Sequence, residues 1–230
     1  VWLRGGGGSI TARMSDTDGA PEFPETFPIF PLPGVVLFPG TYLPLHIFEP
    51  RYRDMLADTL AGEQRLIAVA QLKPGWEPDY ESRPAIYDVA GIGRIAQFTH
   101  NPDGTYDIVL EALARAHLNE LAPDGFHYRR ATATVLRERA PNGGVPQSEV
   151  SALLSLATRV ATIVKRALPG FTMQAEQHDT PALLTDRIAD QFVLDPAARQ
   201  DLLETLDVSM RIRGLTVQLA QLHLALSASD

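Results

Sequence analysis

The chain has 230 residues, 45% of them hydrophobic and 21% charged, and a formal net charge of −8. That balance is ordinary for a globular protein and argues against nucleic acid or an anionic membrane as partner, since both need a basic footprint. Cysteine is absent, which excludes disulfides, thiolate metal sites and cysteine nucleophiles and fits a reducing, cytoplasmic location, and no apolar run is long enough to span a bilayer.

Residues 1–13 lack the apolar stretch of a signal peptide, and the Gly5–Gly8 run is a flexible linker by composition. Met14 followed by Ser15-Asp16-Thr17-Asp18 reads as a natural start, so 1–13 are expected to be a tag or an upstream start. Residues 1–24 are expected to be disordered or loosely attached.

From Phe27 the text is apolar but broken by Pro28, Pro31, Pro33, Pro39 and Pro44. Proline removes a donor and fixes φ, so this segment predicts short edge-type strands with corners at Pro33-Gly34 and Pro39-Gly40. A helix is predicted over 49–60, with Pro50 at its first position, Tyr52, Met55, Leu56 and Leu60 at helical spacing, and Gly62 ending it. Glu49 is expected to accept amide hydrogen bonds at its start. Leu66–Leu72 suits a buried strand, and 73–84 is a loop by its prolines and glycine.

Two strands, Tyr87–Phe98 and Thr105–Leu113, flank Asn101-Pro102-Asp103-Gly104, whose proline and glycine mark a type I turn and hence a hairpin. Tyr106, Ile108 and Leu110 alternate with Asp107 and Glu111, as in a half-buried antiparallel sheet. Ala116–Leu121 and Tyr128–Arg137 are further strand candidates. After Asn142-Gly143-Gly144-Val145-Pro146 the hydrophobic period changes to that of helices. One apolar stripe runs from Val150 to Leu168. Thr180-Pro181 and Asp195-Pro196 each read as an N-cap followed by proline. Val208, Ile212, Leu215, Leu219, Leu222 and Leu226 make the inner face of a last helix in a bundle, favoured over a coiled-coil seam by the shortness of the repeat.

Several motifs follow one another in a telling order. They are Phe30-Pro31-Leu32-Pro33, Val36-Leu37-Phe38-Pro39-Gly40, Leu43 through Tyr52, Val89 through Ile95, and Asn101 through Thr105 in the first half. Leu184 through Ala189 and Arg199 through Asp207 follow in the second half. Together, in that order, they resemble the N-terminal domain of Lon protease. At Glu111 the family's usual glycine is absent and Ala112 follows, which puts a bulge there in doubt. The resemblance implies an α+β fold: a PUA-like β-rich pseudo-barrel with one helix over 25–140, and an α-helical subdomain over 146–228. It also implies a stand-alone Lon-domain protein without the ATPase and protease.

The residues offer little catalysis. Neither Lys73 nor Lys165 lies in a G-x-x-x-x-G-K-[ST] loop, and neither has a serine context for a serine–lysine dyad, so no enzyme is expected. His46 and Glu49 invite a metal or acid–base reading, but a strand histidine bonded to backbone is the better one, and no metal or other cofactor is expected. Arg129 and Arg130 point to opposite faces of a strand and read as solvated edges. Trp76 and Tyr80, aromatics on a polar loop, are binding anchors or a lid over the barrel, in even balance. Phe48, Arg51 and Tyr52 form a second candidate surface, with Met55 more readily assigned to the core. The expected function is non-catalytic binding of unfolded or partner polypeptides, with a homo-oligomer as a further option. The alternatives are a PUA-like RNA-binding module and a hydrolase with a site near His46.

Overall fold

The computed structural model describes residues 23–123, 125–176 and 178–228. Six strands form one mixed sheet in the order β2-β5-β4-β3-β1-β6. They are β1 (Phe27–Leu32), β2 (Tyr42–Ile47), β3 (Leu66–Gln71), β4 (Val89–His100), β5 (Tyr106–Glu120) and β6 (Arg129–Val135). The long strand β5 closes the sheet. One of its edges takes β4, while the other takes β2 along Tyr106–Glu111 and β6 along Ala116–Glu120. The ring β5-β4-β3-β1-β6 therefore returns on itself, which removes the exposed edges of its members.

The predicted strand candidates over 105–113 and 116–121 are one continuous strand. The register with β4 slips between Ile92 and Gly93 and again between Ile95 and Gln97, so irregularities absorb the bend where the sequence suggested a break. The predicted hairpin stands, with Gly104 N donating to Asn101 O at 2.9 Å and Gly104 at φ +81°.

Alternation sorts the strands into two layers. Phe27, Ile29, Ala68, Ala70, Ile92, Ala116 and Ala131, drawn from all five ring strands, form one cluster. The intervening Phe30, Ile67, Val69, Ile95, Ile108 and Leu110 pack on the other side with Tyr52, Met55 and Leu56 of α1 (Pro50–Ala61). Strand β3 is buried along its whole length, as a strand covered on both faces must be.

Strand β1 corrects the expectation of an edge strand, because it has a neighbour on each side. Its prolines survive there because the two pairings barely overlap. Antiparallel pairing with β6 covers Phe27–Ile29, and parallel pairing with β3 covers Ile29–Leu32. Pro28 thus lacks β3 and Pro31 lacks β6, so each missing N–H falls at a position with only one partner strand.

The second half holds α2 (Gln147–Ala167), α3 (Pro181–Phe192), α4 (Pro196–Glu204) and α5 (Val208–Ser227). The side chains of Thr180 and Asp195 cap α3 and α4, accepting from Leu183 N at 3.3 Å and Ala198 N at 2.8 Å. Leu153, Ala157 and Val160 of α2 meet Leu184, Ile188, Ile212, Leu215 and Leu219 in one core, so the leucine series of α5 is a bundle's inner face. Leu168, placed on the stripe from sequence, lies beyond the helix and is half exposed.

The connection between β1 and β2 ties the halves together. Val36 and Phe38 insert into the helical core, while Leu37 between them belongs to the barrel layer beneath α1. Arg199 of α4 donates to Val36 O at 3.0 Å and lies over the Phe38 ring, and Gln200 donates to Val89 O at 2.9 Å. The proline-rich opening is a strap with alternate residues in different cores. The expected disordered segment 1–24 lies almost wholly outside the described residues.

Candidate functional site

Where β6 leaves β1, the ring splays. Their pairing ends at Ile29 opposite Arg129, yet β1 continues to Leu32. Tyr80 and residues 82–84, Pro123 and residues 126–128, and the first turn of α1 converge on the gap beside Pro31. They enclose a cleft of about 220 Å³ whose wall includes Arg51, Tyr52, Tyr80, Arg83, Phe126, Tyr128 and Arg129.

Three of the five nominated residues meet here. Arg51 donates from Nε to Glu49 Oε2 at 3.0 Å and from both terminal nitrogens to Tyr80 O, at 3.2 and 3.3 Å. Its guanidinium lies 4.7 Å from the Tyr52 ring centre and 5.0 Å from that of Tyr80. Tyr80 donates its hydroxyl to Glu49 Oε1 at 2.6 Å. Burial, then the bond to Glu49, pushes the Tyr80 phenol above its ordinary range. Burial also raises Tyr52, whose ring packs against Phe30 at 4.5 Å and is almost fully enclosed. Tyr52 is therefore core and cleft wall at once.

Glu49 does not cap α1 with its side chain, against expectation. Its carboxylate is drawn away to Arg51 and Tyr80, where charge-assisted bonds outcompete an amide. Trp76 packs edge-on to Tyr80 at 5.4 Å, and both are partly buried against the barrel cluster. Phe48 is apart from the cleft, 62% exposed and stacked with His46 at 6.2 Å.

The sequence reading missed the opposite wall. Arg129, expected at a solvated edge, is buried. It donates from Nε and Nη2 to Glu120 at 2.8 and 2.5 Å and from Nη1 to Pro84 O at 2.7 Å. Arg83 adds a bond to Glu120 Oε1 at 2.7 Å. Burial acts to raise Glu120, but the bonds from Arg129 and Arg83 outweigh it and hold the carboxyl below its usual range. Phe126 stacks under the Arg130 guanidinium at 4.4 Å and beside Tyr128 at 5.2 Å. The available signal was the aromatic pair in Gly125-Phe126-His127-Tyr128, overlooked beside the neighbouring arginines.

Among the described residues, nothing in this cleft forms a nucleophile–base pair. Ser82 is turned to Asp79 O at 2.8 Å, and Lys73 lies over the Tyr87 ring. His46 and Glu49 do not converge: His46 Nδ1 meets Asp107 Oδ1 at 2.7 Å, a side-chain partner where backbone was expected. Among the described residues, no group of three or more His, Asp or Glu could hold a metal ion, and no helix is long and apolar enough to cross a membrane. The arrangement sets aromatic rings and guanidinium groups around one space.

The ring of strands strapped to a helical bundle is a fold shared with solved Lon N-terminal domains. The N-terminal domain of Mycobacterium avium complex Lon protease matches with a TM-score of 0.64 at 17% identity, over 85% of this chain and 98% of that one. A Lon N-terminal domain protein from Xanthomonas campestris matches with a TM-score of 0.58 at 23% identity, over 84% of this chain and 97% of the other.

The family model of the ATP-dependent protease La (LON) substrate-binding domain matches residues 26–221, and the chain belongs to that family. Among curated relatives, Lon protease 2 of Syntrophobacter fumaroxidans is 30% identical over 90% of this chain and 26% of its own length. Lon protease of Escherichia coli (strain K12) is 27% identical over 82% of this chain and 24% of its own length. The chain thus spans about a quarter of these relatives. Membership places it with substrate-recognition modules.

Proposed function

We propose that this protein binds unfolded or partner polypeptides, without catalysis of its own, by seating one bulky apolar side chain in the cleft between Tyr80 and Phe126. The carrying observation is the convergence of Arg51, Tyr52 and Tyr80 with Phe126 and Tyr128 around a single cleft. Its volume of about 220 Å³ falls below the roughly 300–1,000 Å³ usual for small-molecule and cofactor sites, which favours a single side chain as guest. Aromatic walls supply large, rigid contact area at little entropic cost, as binding hot spots do.

The test is association of the full chain with a permanently unfolded model polypeptide, followed by fluorescence anisotropy. Phe126 is 46% exposed, so Phe126→Ser removes cleft wall and little core. It is expected to weaken binding at least tenfold, about 1.4 kcal/mol, with an unchanged melting temperature. Leu224→Ser, at an exposed position on α5, should bind like the parent. An unbound model polypeptide, or equal affinity in the Phe126 variant, would remove the proposal.

A further inference from the structure

We propose that the cleft selects polypeptide segments in which a carboxylate lies beside the bulky side chain, and that Arg83 holds that carboxylate. This rests on the polypeptide-binding reading and specifies its ligand. Although the chain carries a net −8, the described wall of the cleft presents three guanidiniums, Arg51, Arg83 and Arg129, and no carboxylate. The balancing Glu49 and Glu120 are not among the lining residues; they bond to these arginines without facing the space. A cationic guest is therefore repelled and an anionic one drawn in.

Two of the three arginines are committed. Arg51 spends all three nitrogens on Glu49 and Tyr80 O, and Arg129 spends all three on Glu120 and Pro84 O. Arg83 differs. Only its Nη2 is engaged, with Glu120 Oε1 at 2.7 Å and Leu121 O at 3.4 Å. Its Nε and Nη1 carry no bond among the described residues, and its side chain is 38% exposed. Moreover Glu120 is one charge shared between two guanidiniums, and Arg129 already grips it through both oxygens. Arg83 is left with surplus charge and free donors at the rim, in the fork geometry that suits a carboxylate.

A phosphate backbone would also answer to arginine and aromatic rings, but it needs a long basic track, and the chain is acidic overall. A carboxylate can come from an Asp or Glu side chain or from a chain end, and the experiment separates the two. Short labelled peptides with one phenylalanine are titrated against the full chain at low salt. One set flanks the phenylalanine with Glu, Gln or Lys. A second set ends on phenylalanine as free acid or as amide.

The Glu-flanked peptide is expected to bind about tenfold more tightly than the Gln-flanked one and the Lys-flanked one more weakly still, with the Glu advantage shrinking as salt rises. A gap between acid and amide would assign the chain end as a source as well. Arg83→Gln should bring the affinities of the Glu- and Gln-flanked peptides together, and Arg83→Lys should restore part of the gap. Equal affinity for Glu- and Gln-flanked peptides refutes the inference while the polypeptide reading survives. No binding of any peptide refutes both, and tighter binding of an RNA oligomer at the same cleft overturns them in favour of nucleic acid.

Discussion

Arg211→Met is expected to lower the unfolding free energy by about 3–5 kcal/mol, because it leaves the buried Asp186 and its neighbour Glu138 sharing a single counter-charge. Arg211 of α5 and Arg115 of β5 are 0% and 1% exposed, and Asp186 of α3 is 2% exposed. Arg115 Nη2 meets Asp186 Oδ2 at 2.5 Å, Arg211 Nε lies 3.2 Å from Asp186 Oδ1, and Arg115 Nη1 lies 3.2 Å from Glu138 Oε1. Arg211 also bonds to Glu138 and donates to Thr205 O at 2.7 Å. Two cations and two anions balance across the seam between barrel and bundle. Methionine keeps most of the volume, so the loss reads charge imbalance more than a cavity. Arg213, 66% exposed in its pair with Glu149, is the control, and Arg213→Met should leave urea unfolding nearly unchanged. A midpoint for Arg211→Met within error of the parent would show that the network carries no net stability.

The same network has a pH signature. Burial pushes the Asp186 carboxyl up to about 6, the attraction of Arg115 and Arg211 offsetting only part of the desolvation. A carboxyl whose folded pKa lies above its unfolded value holds its proton more tightly when folded. Its contribution is therefore fully present below the unfolded value near 4 and is lost as pH rises through 6. Comparing the parent with Asp186→Asn cancels the other titrating groups. Their stability gap is expected to move toward the parent on going from neutral pH to about pH 4, by up to roughly 3 kcal/mol. A gap that is flat, or that moves the other way, shows a carboxyl not raised by burial.

Local chemistry made much of the fold readable in the sequence. The turn at Asn101–Gly104, the caps Thr180 and Asp195 and the buried run Leu66–Leu72 each depend on neighbours a few residues away, and each forms as expected. What escaped depends on partners far along the chain. Pro28 and Pro31 suggested an edge strand because nothing local reveals that β1 changes partners at Ile29. Glu49 looked like a cap until Tyr80, 31 residues on, claimed its carboxylate. Arg129 looked solvated because Glu120 and Pro84 reach it through the closure of β5 and β6. The same blindness hid half the cleft, since Tyr80 and Phe126 come together only where two loops flank a splay in the ring.

Gly91→Ala is expected to cost at least about 3 kcal/mol, above the usual range for one added methyl group, because the obstruction is backbone. Gly91 sits in β4 where the strap crosses it. A Cβ there would fall 2.1 Å from Leu37 O, 2.7 Å from Leu37 Cβ and 3.0 Å from Leu37 C. Leu37 cannot retreat cheaply. Its own side chain is 1% exposed in the barrel layer, while Val36 and Phe38 on either side are seated in the helical core. Arg199 further pins Val36 O. Any shift that relieves the clash must withdraw side chains from two cores at once. Gly93→Ala should cost less, since its nearest atoms, Leu37 Cδ2 at 3.0 Å and Leu110 Cβ at 3.2 Å, belong to side chains rather than backbone and need give by only a few tenths of an ångström. Gly170→Ala, with nothing within 4 Å, should be nearly neutral. Chemical unfolding orders the three, and amide exchange locates the damage. In Gly91→Ala, protection should fall in α3 and α4 as well as in β4, because Val36 and Phe38 of the strap are seated in the helical core. Loss confined to β4, or a cost near that of Gly170→Ala, would mean that the strap yields freely and does not couple the barrel to the bundle.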